Sequence, residues 1–238
     1  MRSSRSKPDP LDPGPLGFAH RGLHGGPGSP ENGLTAFAAA LELGCGIECD
    51  LRLTADNQVI VFHDSDARRI CASPLRIGRS SLHELSALSV GDHPVPTLQN
   101  LLSLVGGRVP LLLEVKVERD IRRWPGALVR GLVGYGGPFG VMSFDPRVSR
   151  LMKTHMPELR RGLVIRDSLP APRRRLAIWL AEPQFVAVER TSLGKSWVAR
   201  LRERMPVYSW TIRTAEHRAQ AMVHADALIW EGDGRPRV

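Results

Sequence analysis

Three cysteines, Cys45, Cys49 and Cys71, are all that the 238 residues contain. An odd and sparse set builds no disulfide framework, and no CxxC pair offers zinc ligands. They read as packing thiols in a reduced, cytoplasmic compartment. No apolar run approaches the roughly 20 residues of a membrane helix. The opening MRSSRSKPDPLDPGPLG has basic residues with no apolar segment behind them, so it does not read as a secretory signal. Several sequence devices are absent too. There is no GxxxxGK[ST] loop, no GxGxxG after a strand and no GxSxG elbow. Gly25-Gly26-Pro27-Gly28 lacks the Lys and Thr of a phosphate loop and reads as a flexible connection.

Hydrophobic residues make up 42%, enough to bury a sizeable core. The formal net charge is +9, which invites a polyanion-binding reading. Its distribution argues against that. Residues 1–119 carry 12 Lys+Arg and 13 Asp+Glu, while residues 120–238 carry 21 and 11. The excess is arginine at helix-like positions such as Arg173, Arg174, Arg175, Arg200 and Arg204, a solvated outer face. No nucleic-acid partner is expected. Weak association with an anionic membrane surface is the most this charge would add.

Beyond residue 15 the chain alternates strand-length apolar runs with helical patterns. Strands are expected at 16–21, 46–54, 109–117, 139–145, 161–166, 185–191, 207–213 and 227–232. Helices are expected at 33–44, 97–105, 124–134, 146–156, 172–181, 195–205 and 215–225. Gly44, Pro157 and Pro206 stop three of them. Eight buried, parallel-type strands spaced by helices predict an α/β fold, a single (β/α)8 TIM barrel over 16–238. Residues 1–15 read as a flexible arm. Asp56-Asn57 lies between two strand-like runs and predicts a hairpin, since both residue types tolerate positive φ. The insertion continues as a loop-rich excursion over 65–96 with one short helix near 81–88.

In a parallel barrel the reactive groups gather at the C-terminal strand ends. The first strand ends in His20-Arg21-Gly22, and the hairpin ends in His63-Asp64. Glu48 and Asp50, two apart on a strand, share a face. Two buried carboxylates repel unless a positive group lies between them. A hard divalent cation solves this, with Glu114 of the next strand as third ligand. The alternative is a buried ion-pair network of Glu48, Asp50, Arg52 and Lys116. His20 and His63 titrate near neutrality and can divide general acid and base work. Arg21 offers a planar fork, and Lys116 a point charge, to a phosphate.

These residues fall in blocks: FAHRG (18–22), PEN (30–32), AF (36–37), GIECDLRLT (46–54), VIVFHD (59–64), PTL (96–98) and LLEVK (112–116). In order and spacing they resemble the glycerophosphodiester phosphodiesterases. SFDP (143–146) and YSWTIR (208–213) extend the likeness more loosely. The resemblance implies a TIM barrel that hydrolyses glycerophosphodiesters to glycerol 3-phosphate and an alcohol. A glycerol hydroxyl would attack phosphorus, and water would open the cyclic product. His20 and His63 match the acid–base pair. Glu48, Asp50 and Glu114 match the ligands of one Mg²⁺ or Ca²⁺ ion. Arg21 and Lys116 match phosphate-contacting residues, Glu31 the glutamate by the site, and Trp210 a pocket-lining aromatic. The alternatives are lysophospholipase D-type hydrolysis of larger diesters and non-catalytic polyanion binding. Gly33 replaces the usual Ser or Thr, Asp56-Asn57 the usual Asp-Gly, and Glu231-Gly232 the usual Thr-Asp. The loop before the PEN block is longer than usual. None of these departures is expected to touch the metal or the two histidines, so they bear on substrate choice and not on the chemistry.

Overall fold

The computed structural model describes residues 11–118 and 120–237. Eleven strands form in chain order: β1 (Phe18–His20), β2 (Gly46–Leu53), β3 (Val59–Val61), β4 (Ser89–Val90), β5 (His93–Pro94), β6 (Leu111–Val115), β7 (Phe139–Ser143), β8 (Arg160–Ile165), β9 (Phe185–Glu189), β10 (Val207–Ile212) and β11 (Ala227–Trp230). Eight of them pair in parallel. The ring runs β1-β2-β6-β7-β8-β9-β10-β11 and closes because β1 pairs with both β2 and β11. The eight strands of the ring are those expected from the apolar runs.

The seven expected helices are present as Leu34–Leu43, Leu98–Val105, Trp124–Leu132, Pro146–His155, Ala171–Ala181, Ser196–Arg202 and Ala215–His224. Local chemistry sets their ends. Thr97 caps one through a reciprocal pair with Asn100, and Asp145 caps another just before Pro146. Gly44 ends the first in a left-handed conformation, φ 74°. None of the described helices is long and apolar enough to cross a membrane.

Strand alternation divides the core in two. Outward residues such as Ile47, Cys49, Leu51, Leu111 and Leu113 pack against the helices in one large cluster. Inward residues Phe18, Leu112, Met142, Val164, Phe185, Ala187, Tyr208 and Ile229 fill the barrel. Gly140 and Gly162 face inward as well. A Cβ on Gly162 would lie 2.2 Å from the Phe185 ring, so only glycine fits there. Leu11 closes this interior at the bottom, fully buried and packed over Gly140. Residues 1–10 of the expected arm lie outside the described residues. Residues 14–16 form a 3₁₀ turn leading into β1.

β3 pairs antiparallel with β2, with Leu53 opposite Val59. Asn57 at the turn has φ 61°, which accounts for Asp-Asn there. The following excursion holds two short helices, Arg68–Cys71 and Leu82–Ser86, and the β4–β5 ribbon. Its own small core of Phe62, Ala67, Ile77, Leu85, Val90 and Val95 anchors the segment that carries His63.

Candidate active site

The inward row of each strand runs from apolar at the bottom to polar at the C-terminal mouth. On β1 it passes from Phe18 to His20, and on β2 through Glu48 to Asp50. On β6 it passes from Leu112 to Glu114 and then Lys116. A cavity of about 320 Å³ opens there, lined by His20, Arg21, Glu48, His63, Glu114 and Lys116 on one side. Trp210 lines it too. Its indole N–H donates to the Ala187 carbonyl at 3.0 Å, and its ring meets Phe144 edge-on at 5.4 Å.

Asp50 and Glu114 are register partners on neighbouring strands. One carboxylate oxygen from each of Glu48, Asp50 and Glu114 lies within 4.8 Å of the others, and all three residues are buried. Glu48 Oε1 is buried with no hydrogen-bond partner, a costly arrangement for a carboxylate oxygen. Burial and repulsion from Asp50 and Glu114 push the Glu48 carboxyl well above its usual range. Burial raises Glu114 to about 7, although Lys116 opposes it. Burial also disfavours the Asp50 anion, but Lys116 and Arg21 outweigh it and hold that carboxyl low. An all-oxygen donor set with an unpartnered buried carboxyl oxygen among the described residues fits a hard divalent cation.

The cations are tied in. Lys116 Nζ pairs with Glu114 and lies 2.9 Å from Asp50 Oδ1. Arg21 Nε lies 3.1 Å from Asp50 Oδ2, and its backbone N–H donates to Glu48 Oε2 at 3.2 Å. Arg21 adopts φ 57°, turning the chain sharply at the end of β1. Gly22 follows at φ 81°, where a Cβ would lie 2.9 Å from the Ala36 backbone. Arg52 takes no part in the acid cluster. Its Nε donates to the His63 carbonyl at 2.7 Å, and its fork pairs with Glu118. The ion-pair network considered from the sequence therefore lacks that member.

Glu31 sits behind Arg21 rather than on the cavity wall. It accepts from Arg21 Nη1 at 2.8 Å and from Arg69 at 2.6 and 2.9 Å. Arg69 also donates to Asp64 Oδ2 at 2.6 Å, and Asp64 Oδ1 meets His63 Nδ1 at 2.7 Å. One chain of contacts thus runs from Arg21 to His63. His20 has a similar brace. Its Nδ1 donates to Glu231, whose other oxygen accepts from Arg213 Nε at 2.7 Å. His20 Nε2 lies 3.8 Å from Glu48 Oε2. Both imidazoles therefore place Nδ1 on a carboxylate and leave Nε2 for other chemistry. Burial lowers both histidines below their usual range, and the neighbouring carboxylates only partly offset it.

Three supporting residues, Asn32, Asp64 and Arg69, escaped the sequence reading, and Glu231, expected to leave the histidines untouched, instead holds His20 Nδ1. Asn32 is buried with φ 57°. Its Nδ2 donates to Asp50 Oδ2 at 2.9 Å, and its Oδ1 accepts the Asp50 N–H at 3.2 Å. Its signal was the Asn of the PEN block. Glu231 had a signal as well. Ala227 and Ile229 face inward, so the next residue of that parity reaches the mouth. Arg69, on a four-residue helix in the excursion, had none.

Comparison with known proteins places the fold and the family. A phosphodiesterase from Oleispira antarctica, solved in complex with the product sn-glycerol-3-phosphate, superposes with a TM-score of 0.81 at 20% identity, covering 92% of each chain. A glycerophosphodiester phosphodiesterase from Thermotoga maritima gives 0.74 at 22%, covering 90% of this chain and 92% of that one. These likenesses are of fold. In sequence, a glycerophosphodiester phosphodiesterase of Caldanaerobacter subterraneus is 30% identical over 171 residues, 66% of this chain and 69% of its own. The model of the Glycerophosphoryl diester phosphodiesterase family matches residues 20–231, from the histidine ending β1 to the glutamate that braces it. The chain belongs to the glycerophosphoryl diester phosphodiesterase family.

Proposed function

We propose that this site hydrolyses small glycerophosphodiesters to glycerol 3-phosphate and an alcohol, with His20 and His63 as acid and base and one divalent cation held by Glu48, Asp50 and Glu114. The observation that carries this reading is the pair of imidazoles, each braced at Nδ1 by a carboxylate, at the rim of a three-carboxylate cluster. The family named above and the glycerol 3-phosphate held by the Oleispira protein support the substrate class.

Each residue has a defined task. Glu231 and Asp64 fix the ring orientation and tautomer, so that Nε2 is the nitrogen that exchanges protons. One ring, neutral with Nε2 free, accepts the proton of the attacking hydroxyl, and the other, as the imidazolium, gives its Nε2 proton to the leaving oxygen. Arg21 and Lys116 supply fixed positive charge for the phosphoryl oxygens. A bound Mg²⁺ or Ca²⁺ supplies Lewis acidity toward a phosphoryl oxygen. Asn32 holds Asp50 in place from behind. A cavity of about 320 Å³ favours a compact diester over an acylated one. Three carboxylates at the mouth would repel a polyanion, which argues against a binding-only role.

Release of glycerol 3-phosphate from a glycerophosphodiester panel, followed by phosphorus NMR, tests the reading. His20→Ala and His63→Ala should each lower kcat by about 10²–10⁴ without loss of the folded state. Full activity in either variant would refute the acid–base assignment.

A further inference from the structure

Arginines also occupy the part of the mouth away from the acid cluster. On β8, Val164 faces the barrel interior, and Arg166 is the next residue of that parity. Arg190 stands just past the end of β9. Both residues line the same cavity as the histidines. In the ring of eight strands, β8 and β9 stand three and four places from β2, so this wall faces Glu48 and Asp50 across the mouth.

These two cations differ from the others at the mouth. Arg21 pairs with Glu31 and Asp50, Lys116 with Asp50 and Glu114, and Arg213 with Glu231. Neither Arg166 nor Arg190 forms an ion pair among the described residues. Glu189, which also lines the cavity, accepts the Asp167 N–H at 2.8 Å. The Arg166 guanidinium carbon lies 4.4 Å from the centroid of the Phe144 ring, and its N–H groups make no hydrogen bond or ion pair among the described residues. That stacking also disfavours a cationic ligand. The Phe144 face that a trimethylammonium group would seek is already covered by like charge.

We propose that Arg166 and Arg190 form a second anion subsite for the leaving alcohol. The enzyme then prefers diesters whose alcohol carries its own anionic group, a carboxylate or a phosphate monoester, over those of choline. The phosphoryl group to be cleaved is met by Arg21 and Lys116, so the opposite wall is left to the alcohol. This inference rests on the hydrolytic reading above.

The test compares kcat/KM for four glycerophosphodiesters whose leaving alcohols are glycolate, glycerol phosphate, glycerol and choline. The glycolate and glycerol phosphate arms separate carboxylate from phosphate recognition. At low salt the better anionic substrate should exceed the choline diester by about tenfold or more. The gap should narrow in high salt. In the Arg166→Gln/Arg190→Gln variant the ratio should fall close to one. Equal rates or a choline preference in the wild type would overturn the subsite alone, as would an unchanged ratio in the double variant. Absence of hydrolysis on all four would overturn the underlying function as well.

Discussion

Glu231 shows how one side chain sets what its neighbour can do. Its carboxylate takes the His20 Nδ1 proton in a hydrogen bond and is itself held by Arg213. Glu231→Gln keeps the shape but removes the charge and admits the wrong tautomer. kcat should fall about ten- to a hundredfold with KM little changed, short of the full loss on removing an imidazole. Unchanged kcat in steady-state assays would remove Glu231 from the mechanism. The acid cluster gives a pH prediction of definite sign. Glu114 is raised to about 7 and Glu48 is raised as well, so both retain protons in mildly acidic solution when no cation is bound. A cation must displace those protons. Its affinity should therefore strengthen as pH rises through about 7. Calorimetric titration at several pH values reads this directly, and affinity independent of pH between about 5 and 7 would contradict it.

At the scale of elements, the barrel depends on a few fixed fits. Leu11 fills the space that Gly140 leaves, and Phe185 packs over Gly162. Leu11→Ala should cost about 2–5 kcal/mol, because a closely packed barrel floor relaxes poorly around a cavity. Denaturant melts would measure it, and a change below about 0.5 kcal/mol would show that Leu11 is not part of the core. The eight barrel strands and seven helices were legible because both signals were strong. Buried parallel strands read as apolar runs, and Gly44, Pro157 and Pro206 stop helices in any context. Leu11 was not legible, since one leucine among prolines carries no periodicity. The excursion's ribbon was equally hidden, because two-residue strands such as Ser89–Val90 are too short to show alternation. In the site, Glu48, Asp50 and Glu114 were readable from spacing. Glu231 and Arg166 required the inward parity to be followed to the last residue of each strand. Arg69 reaches Glu31 only through the folded path of the excursion, which no local pattern encodes.

Over the whole molecule, charge and chemistry occupy different places. Ten of the 21 Lys and Arg of residues 120–238 lie on the outer helices, while the acid cluster sits in a half that is close to neutral. Under the proposed function this charge would draw anionic diesters toward the mouth, a rate of encounter that salt reduces. It does not name the reaction. In the proposed mechanism that depends on carboxylates whose burial a bound cation would reconcile, beside two oriented imidazoles. The most direct measurement is turnover of a glycerophosphodiester by protein stripped with chelator, before and after addition of Mg²⁺ or Ca²⁺, with Glu48→Gln alongside. The account predicts loss of turnover on stripping, recovery with one of the two ions, and no recovery in the variant. Full turnover by the stripped protein, or full recovery by Glu48→Gln, would contradict it.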